Sequence, residues 1–226
     1  MAELIVALDL PDAPAAIALL DLLPDGCAVK VGSVLLARAG AGFIRALAGS
    51  GHPVFLDSKW HDIPNTVAGA VNAAADLGVD MVTVHASGGD AMLRAAVAAA
   101  AGRIKIVAVT VLTSHDAASY AAVTGRDRVT LVDEVRRLTE LAIGAGVDGI
   151  VCSADEASSV RALVGDRRIV VPGIRRSTDR AGDQQRIATP EVAMAAGATH
   201  LVVGRPITEA ADPAGAYQDF AKAART

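Results

Sequence analysis

The chain alternates two kinds of segment. Short runs rich in Val, Ile and Leu recur at Leu4–Asp9, Cys27–Val31, Val54–Lys59, Met81–His85, Ile104–Leu112, Gly149–Ser153, Arg168–Gly173 and His200–Gly204. None alternates apolar with polar residues, which is the pattern of strands buried on both faces of a parallel sheet. Between them lie Ala- and Leu-rich helical stretches such as Pro64–Leu77 and Val129–Ala145, and Pro213–Ala223 follows the last run. Eight runs in 226 residues recur about every 28 residues, room for a strand, a helix and short loops.

Eight successive strand–helix units predict an α/β fold, a (β/α)8 TIM barrel forming one domain over residues 1–226. The competing arrangement is an open doubly wound sheet, but no G-x-G-x-x-G opens the first helix and no P-loop motif occurs. Two connections look long, Thr113–Arg128 after the fifth strand and Arg175–Thr189 after the seventh. In a barrel both fall on the face where the βα loops build the active site.

Composition narrows the class. The chain is 52% hydrophobic, 20% charged and only 3% aromatic, so its core is aliphatic and its close packing rests on Ala and Gly. Mean hydropathy is +0.40, which argues against disorder. The most apolar stretch, Ala91–Leu112, carries Arg94, Arg103 and Lys105 and does not read as a bilayer span. A net charge of −4 offers no basic field for a nucleic acid and no polybasic patch for a membrane. Cys27 and Cys152 sit in apolar runs and read as buried thiols rather than a disulfide. The opening Met-Ala-Glu-Leu-Ile-Val has an acid where a signal peptide has base, so a cytoplasmic protein is expected.

The placement of charge is more informative than its amount. Against 17 arginines there are four lysines, Lys30, Lys59, Lys105 and Lys222. Lys30 and Lys59 close the second and third strands. Arg cannot release a proton near neutral pH and Lys can, so proton delivery is one reason to keep Lys there; the alternative is ordinary lysines that fell so. Asp57 and Lys59, two apart on a strand, point to the same side. Asp9 closes the first strand, and these charges should meet around one opening. An Asp/Lys array in a low-dielectric mouth is costly unless every charge is paired, which favours function over a bland ion-pair network.

At the eighth strand, Gly204-Arg205 offers a Gly turn and a guanidinium fork beside the loop after strand seven, a common phosphate position in barrels. A phosphorylated small molecule with Asp/Lys chemistry at its other end is therefore expected. His85, ending strand four, either faces the site or is a satisfied core histidine. No His/Cys/carboxylate cluster has ligand spacing, and Asp57 with Asp62 would hold magnesium only loosely, so no metal is expected.

The run Asp57-Ser-Lys-Trp-His-Asp-Ile-Pro-Asn-Thr66 resembles the signature of the orotidine 5'-phosphate decarboxylase family. The likeness extends to Ala7-Leu8-Asp9, Val29-Lys30-Val31-Gly32, Val111-Leu112-Thr113-Ser114, Pro172-Gly173-Ile174-Arg175, Gly182-Asp183-Gln184 and Val203-Gly204-Arg205-Pro206. The Asp/Lys/Asp core is shared by a wider suprafamily, whereas Ile-Pro-Asn-Thr and Pro-Gly-Ile-Arg are more specific. The resemblance implies cofactor-independent decarboxylation of orotidine 5'-phosphate to uridine 5'-phosphate in pyrimidine biosynthesis. In it Lys59 would protonate C6, Asp57 would face the substrate carboxylate, and Lys30 and Asp62 would complete the array.

The same resemblance assigns Asp9, Lys30 and Thr66 to the ribose hydroxyls, and Thr113 and Ser114 to the pyrimidine. Arg175, Gln184, Gly204 and Arg205 would hold the phosphate side. It also implies a homodimer in which Asp62 and the residues after it reach the neighbouring subunit's site. Two departures stand out: Trp60 where Phe is more usual, and no Gln within Arg176–Asp179. Gln184 is the best-aligned polar contact, with Gln185 beside it. The alternatives are a magnesium-dependent sugar-phosphate decarboxylase or synthase of the same suprafamily, and a non-catalytic nucleotide-binding barrel.

Overall fold

The computed structural model describes residues 1–177, 179 and 186–225. Its strands are β1 (Glu3–Ala7), β2 (Ala28–Gly32), β3 (Val54–Trp60), β4 (Met81–His85), β5 (Lys105–Val109), β6 (Gly149–Val151), β7 (Arg168–Val171) and β8 (His200–Val203). They pair parallel in chain order, and β8 returns to β1 with Leu4 beside Leu201 and Val6 beside Val203. That closure decides for the barrel and against the open sheet. Several apolar runs outlast their strands: Asp9, Leu112, Ser153 and Gly173 all lie beyond the ladder. The apolar pattern records burial, and burial continues where the chain turns into the rim.

The helices are α1 (Ala13–Leu20), α2 (Ser33–Gly49), α3 (Pro64–Leu77), α4 (Gly89–Ala100), α5 (Ala117–Thr124), α6 (Leu131–Gly144), α7 (Ala154–Val164), α8 (Pro190–Ala195), α9 (Arg205–Thr208) and α10 (Pro213–Ala223). The bounds of α3 and α10 match the sequence reading because their punctuation is local. Each starts on a Pro in its first turn, and α3 stops at Gly78, whose φ of 83° suits glycine. Helix α5 departs from the expectation of a plain loop over 113–128. Asp116 caps it by accepting from Ser119 N, and Gly125 ends it at φ 64°, signals too short to show in an apolar periodicity.

Two apolar clusters hold the fold. The larger lies between the outer strand faces and the helices. The smaller fills the barrel and includes Ile5, Phe55, Met81, Val107, Val170 and Val202. Cys27 and Cys152 are both buried and unpaired, as expected; burial pushes their thiols up to about 11 and about 12. No helix of the described residues is long and apolar enough to cross a membrane.

Helices α5 and α6 are joined through Glu134, only 4% exposed. It accepts from Arg137 at 2.5 Å, Arg126 at 3.0 Å and the Tyr120 hydroxyl at 3.1 Å. These donors, Arg137 foremost, outweigh burial and hold its carboxyl down to about 2. A carboxyl bound less tightly to protons when folded stabilises the fold above its ordinary range and loses that contribution as pH falls. Glu134→Gln is therefore expected to lose about 2 kcal/mol near neutral pH. In urea titrations the gap from the parent should narrow steadily as the pH is lowered from about 5 to about 3.

Candidate active site

The site grows out of the rows that fill the barrel. Ile5 and Ala7 point inward from β1, and Asp9 continues the same alternation beyond the strand. On β2, Ala28 is followed by Lys30; on β3, Phe55 by Asp57; on β4, Met81 by Thr83. Register places Lys30 beside Ala7 and Phe55, one inward step below Asp57, which stands beside Gly32. The long Lys30 side chain therefore rises from the layer below to meet Asp9 and Asp57. Those charges roof an apolar interior. They line one cavity of about 450 Å³ together with Lys59.

Asp57 is the centre of that array. Lys59 Nζ lies 2.7 Å and Lys30 Nζ 3.5 Å from its Oδ2, and Lys30 also reaches Asp9 at 2.9 Å. Thr83, wholly buried, donates to the other oxygen of Asp57 at 3.0 Å. Burial raises the pKa of Asp57 more than any single neighbour lowers it. The two ammoniums and the hydrogen bonds from Lys59 and Thr83 together win, and the carboxyl sits below its usual range.

Lys59 does not continue the pleat. Its φ is 51°, and the β3–β4 register shifts between Leu56 and Trp60. A non-glycine residue there carries roughly 1 kcal/mol or more of strain. Its N–H donates to Thr83 Oγ1 at 2.7 Å, so one hydroxyl holds both the backbone of Lys59 and the carboxylate beside it. The same-side placement expected for Asp57 and Lys59 is observed, but through a bulge rather than plain alternation.

Across the cavity lie Thr113, Ser114, Arg175, Gly204 and Arg205. Arg175 is buried, and its N–H donates to Ala188 O at 2.9 Å, where Ile174 forms a bridge with Ala188. The adjacent Arg176 turns outward to Asp179 and Asp219 and lies over the Phe220 ring at 5.3 Å. Consecutive arginines are thus sorted, one to the cavity and one to the outer surface. A cationic edge facing a lysine–carboxylate array suits a ligand anionic at one end and reactive at the other.

Nine of the expected site residues therefore share one cavity: Asp9, Lys30, Asp57, Lys59, Thr113, Ser114, Arg175, Gly204 and Arg205. Asp62 and Thr66 do not line it. Both are exposed, with Asp62 accepting from Ile63 N at 2.6 Å and Thr66 in the first turn of α3. Gln184 and Gln185 lie outside the described residues. His85 does not line the cavity either; its ring lies 5.6 Å from that of His61, and burial, then His61 and Lys59, lower its pKa. Among the described residues no three His, Cys, Asp or Glu side chains converge as a metal site. Thr83 was missed by sequence reasoning. Its signal is a lone hydroxyl inside Met-Val-Thr-Val-His, too common to single out.

The model of the orotidine 5'-phosphate decarboxylase / HUMPS family matches residues 2–220. The chain belongs to that family. It is 54% identical to orotidine 5'-phosphate decarboxylase of Halorhodospira halophila, over 95% of this chain and 92% of the relative. It is 50% identical to the protein of that name from Alkalilimnicola ehrlichii, over 93% and 91% of the two chains. The crystal structure of orotidine 5'-phosphate decarboxylase from Lactobacillus acidophilus superposes with a TM-score of 0.89 at 35% identity, covering both chains completely.

For this member of the orotidine 5'-phosphate decarboxylase / HUMPS family, the Asp9–Lys30 pair depends on Gly32. A Cβ at Gly32 would stand 3.0 Å from Asp9 Oδ1 and 3.3 Å from Lys30 Nζ. Gly32 has φ −91°, open to any residue, so the cost of a side chain is crowding rather than backbone strain. Gly32→Ala is expected to shift the pair and cut turnover by about tenfold. Its melting temperature should stay within a few degrees of the parent.

Proposed function

We propose that this protein decarboxylates orotidine 5'-phosphate to uridine 5'-phosphate and carbon dioxide without a cofactor, as a step of pyrimidine biosynthesis. The observation that carries the reading is the buried Asp57 between Lys30 and Lys59, facing Arg175 and Arg205 across one cavity. The substrate phosphate lies against Arg175, Gly204 and Arg205, with Gln184 contributed by the loop after β7. The ribose hydroxyls meet Asp9 and Lys30, and the pyrimidine lies by Thr113 and Ser114. That orientation brings the ring carboxylate to Asp57 and C6 to Lys59.

The C6–carboxylate bond breaks heterolytically. Carbon dioxide leaves, and the electron pair stays on C6 with no conjugated sink. The Lys59 ammonium stabilises that charge and then transfers one proton to C6, becoming a neutral amine that is reprotonated by solvent. Asp57 beside the departing carboxylate disfavours the bound substrate more than the transition state, and binding at the phosphate offsets the cost of placing it there.

The site is completed by a second copy of the chain. Asp62 and Thr66 belong to the family signature yet stand exposed outside the cavity, next to Ile63, which is 66% exposed. In a homodimer, Asp62 joins the neighbouring subunit's Asp/Lys array and Thr66 its ribose contacts.

Loss of orotidine 5'-phosphate absorbance tests the activity directly. Full turnover in EDTA is expected. Magnesium-dependent turnover of a sugar phosphate, with none on orotidine 5'-phosphate, would replace the reading with the sugar-phosphate alternative. Binding of uridine 5'-phosphate without turnover would replace it with a non-catalytic barrel. Lys59→Ala should lower kcat by roughly 10²-fold or more with the fold intact; near-normal turnover would mean that the proton comes from elsewhere. Mixing Lys59→Ala with Asp62→Ala chains, each nearly inactive, should restore activity, because a mixed dimer holds one site with neither defect. No recovery after subunit exchange would refute the shared site.

A further inference from the structure

Arg186 follows β7 in the chain, and its guanidinium crosses to the loops after β5 and β6. Its Nη2 donates to the Leu112 carbonyl at 2.9 Å, with the Val111 carbonyl at 3.5 Å. Its Nη1 pairs with Glu156 and lies 3.4 Å from Ser153 Oγ. Glu156 is at the same time the third residue of the α7 capping box, accepting from the Ser153 N–H at 2.9 Å. One carboxylate therefore fixes the start of α7 and anchors Arg186. Arg186 in turn grips the backbone just before Thr113 and Ser114, which line the cavity.

This contact is nearly dry. The Arg186 and Glu156 side chains are 11% and 3% exposed, and Arg186 Nε has no partner among the described residues. Packed apolar side chains would join three loops at less desolvation cost. They would not, however, fix the direction of a carbonyl. The Leu112 carbonyl lies beyond the end of β5 and accepts from Arg186 and from His115 N at 3.0 Å. The guanidinium fork thus takes over where the strand ladder stops, on the two carbonyls that precede Thr113.

We infer that Arg186 is a positioning residue, setting the base-side rim of the cavity through its clasp on Glu156 and the Leu112 carbonyl. This rests on the proposed function for the identity of the base that Thr113 and Ser114 face. Removing the clasp costs affinity for a ligand with a base and spares one without it.

Calorimetric titration of uridine 5'-phosphate and ribose 5-phosphate separates the two. Arg186→Met and Glu156→Gln should each weaken uridine 5'-phosphate by roughly tenfold or more while ribose 5-phosphate binding is unchanged. Arg186→Lys keeps a charge for Glu156 but lacks the fork, so it should recover thermal stability without recovering the base-dependent affinity. It carries the same comparison if the Met variant does not fold. Equal loss for both ligands, or loss for neither, overturns the inference. If the parent protein binds both ligands alike, it is the base-side assignment that fails. Hydrogen exchange at the Thr113–His115 amides then decides: faster exchange in Arg186→Lys with unchanged strands supports the clasp, and unchanged exchange refutes it.

Discussion

A carboxylate buried at the mouth of an aliphatic barrel is the constraint around which the site is built. Asp57 is 9% exposed and sits above a floor of Ala7, Phe55, Val109 and Val202. An unpaired charge there would cost several kcal/mol, and the group would take up a proton instead. Lys59, Lys30 and Thr83 prevent that, and each comes from a different position in the sheet. The pairing exists only when β2, β3 and β4 are in register, so the register of these strands and the protonation state of Asp57 are linked. Asp9 extends the linkage to β1 by occupying the other side of Lys30, and Gly32 leaves the space for it.

The same linkage explains the strained backbone at Lys59. A regular β3 would carry Lys59 forward along the strand, and the bulge brings its Nζ back to 2.7 Å from Asp57. The cost is held by a bond from the Lys59 N–H to Thr83, a residue already committed to Asp57. Strain and charge pairing are therefore one structure. Substitution at Thr83 would release both a backbone conformation and a carboxylate, and the two effects would not be separable in a single variant.

Much of this was legible in the chain. Eight apolar runs without polar alternation specify strands buried on both faces, and only closure gives every one of them two neighbours. Lys30, Asp57 and Lys59 stood out because a chain that otherwise uses arginine placed lysine at strand ends. What escaped was of two kinds. Thr83 and Arg186 act through partners distant in sequence, Asp57 at 26 positions and Leu112 at 74, and nothing local marks a hydroxyl or an arginine as having such a partner. Helix α5 escaped for the opposite reason: its signals, Asp116 and Gly125, are local, but it is too short and too exposed for a hydrophobic stripe. Asp62 and Thr66, by contrast, were named from the sequence, and in the single chain they lie exposed outside the cavity.

On the proposed reading, the charge sum of the array bears on how it discriminates between states. Asp9, Lys30, Asp57 and Lys59 carry two negative and two positive charges. The partner subunit's Asp62 adds a third carboxylate, so the array has no cation to spare before anything binds, and an incoming ring carboxylate adds a further negative charge beside Asp57. Loss of carbon dioxide moves that charge from the carboxylate onto C6, away from Asp57 and toward Lys59. The ground state meets a repulsion that the transition state relaxes, whereas an array with surplus positive charge would hold both equally and gain nothing in rate. The anion-binding arginines must then lie apart from the lysines, at the far side of the cavity, where they hold the phosphate in both states. Arg175 after β7 and Arg205 at the start of α9, against lysines on β2 and β3, give that separation.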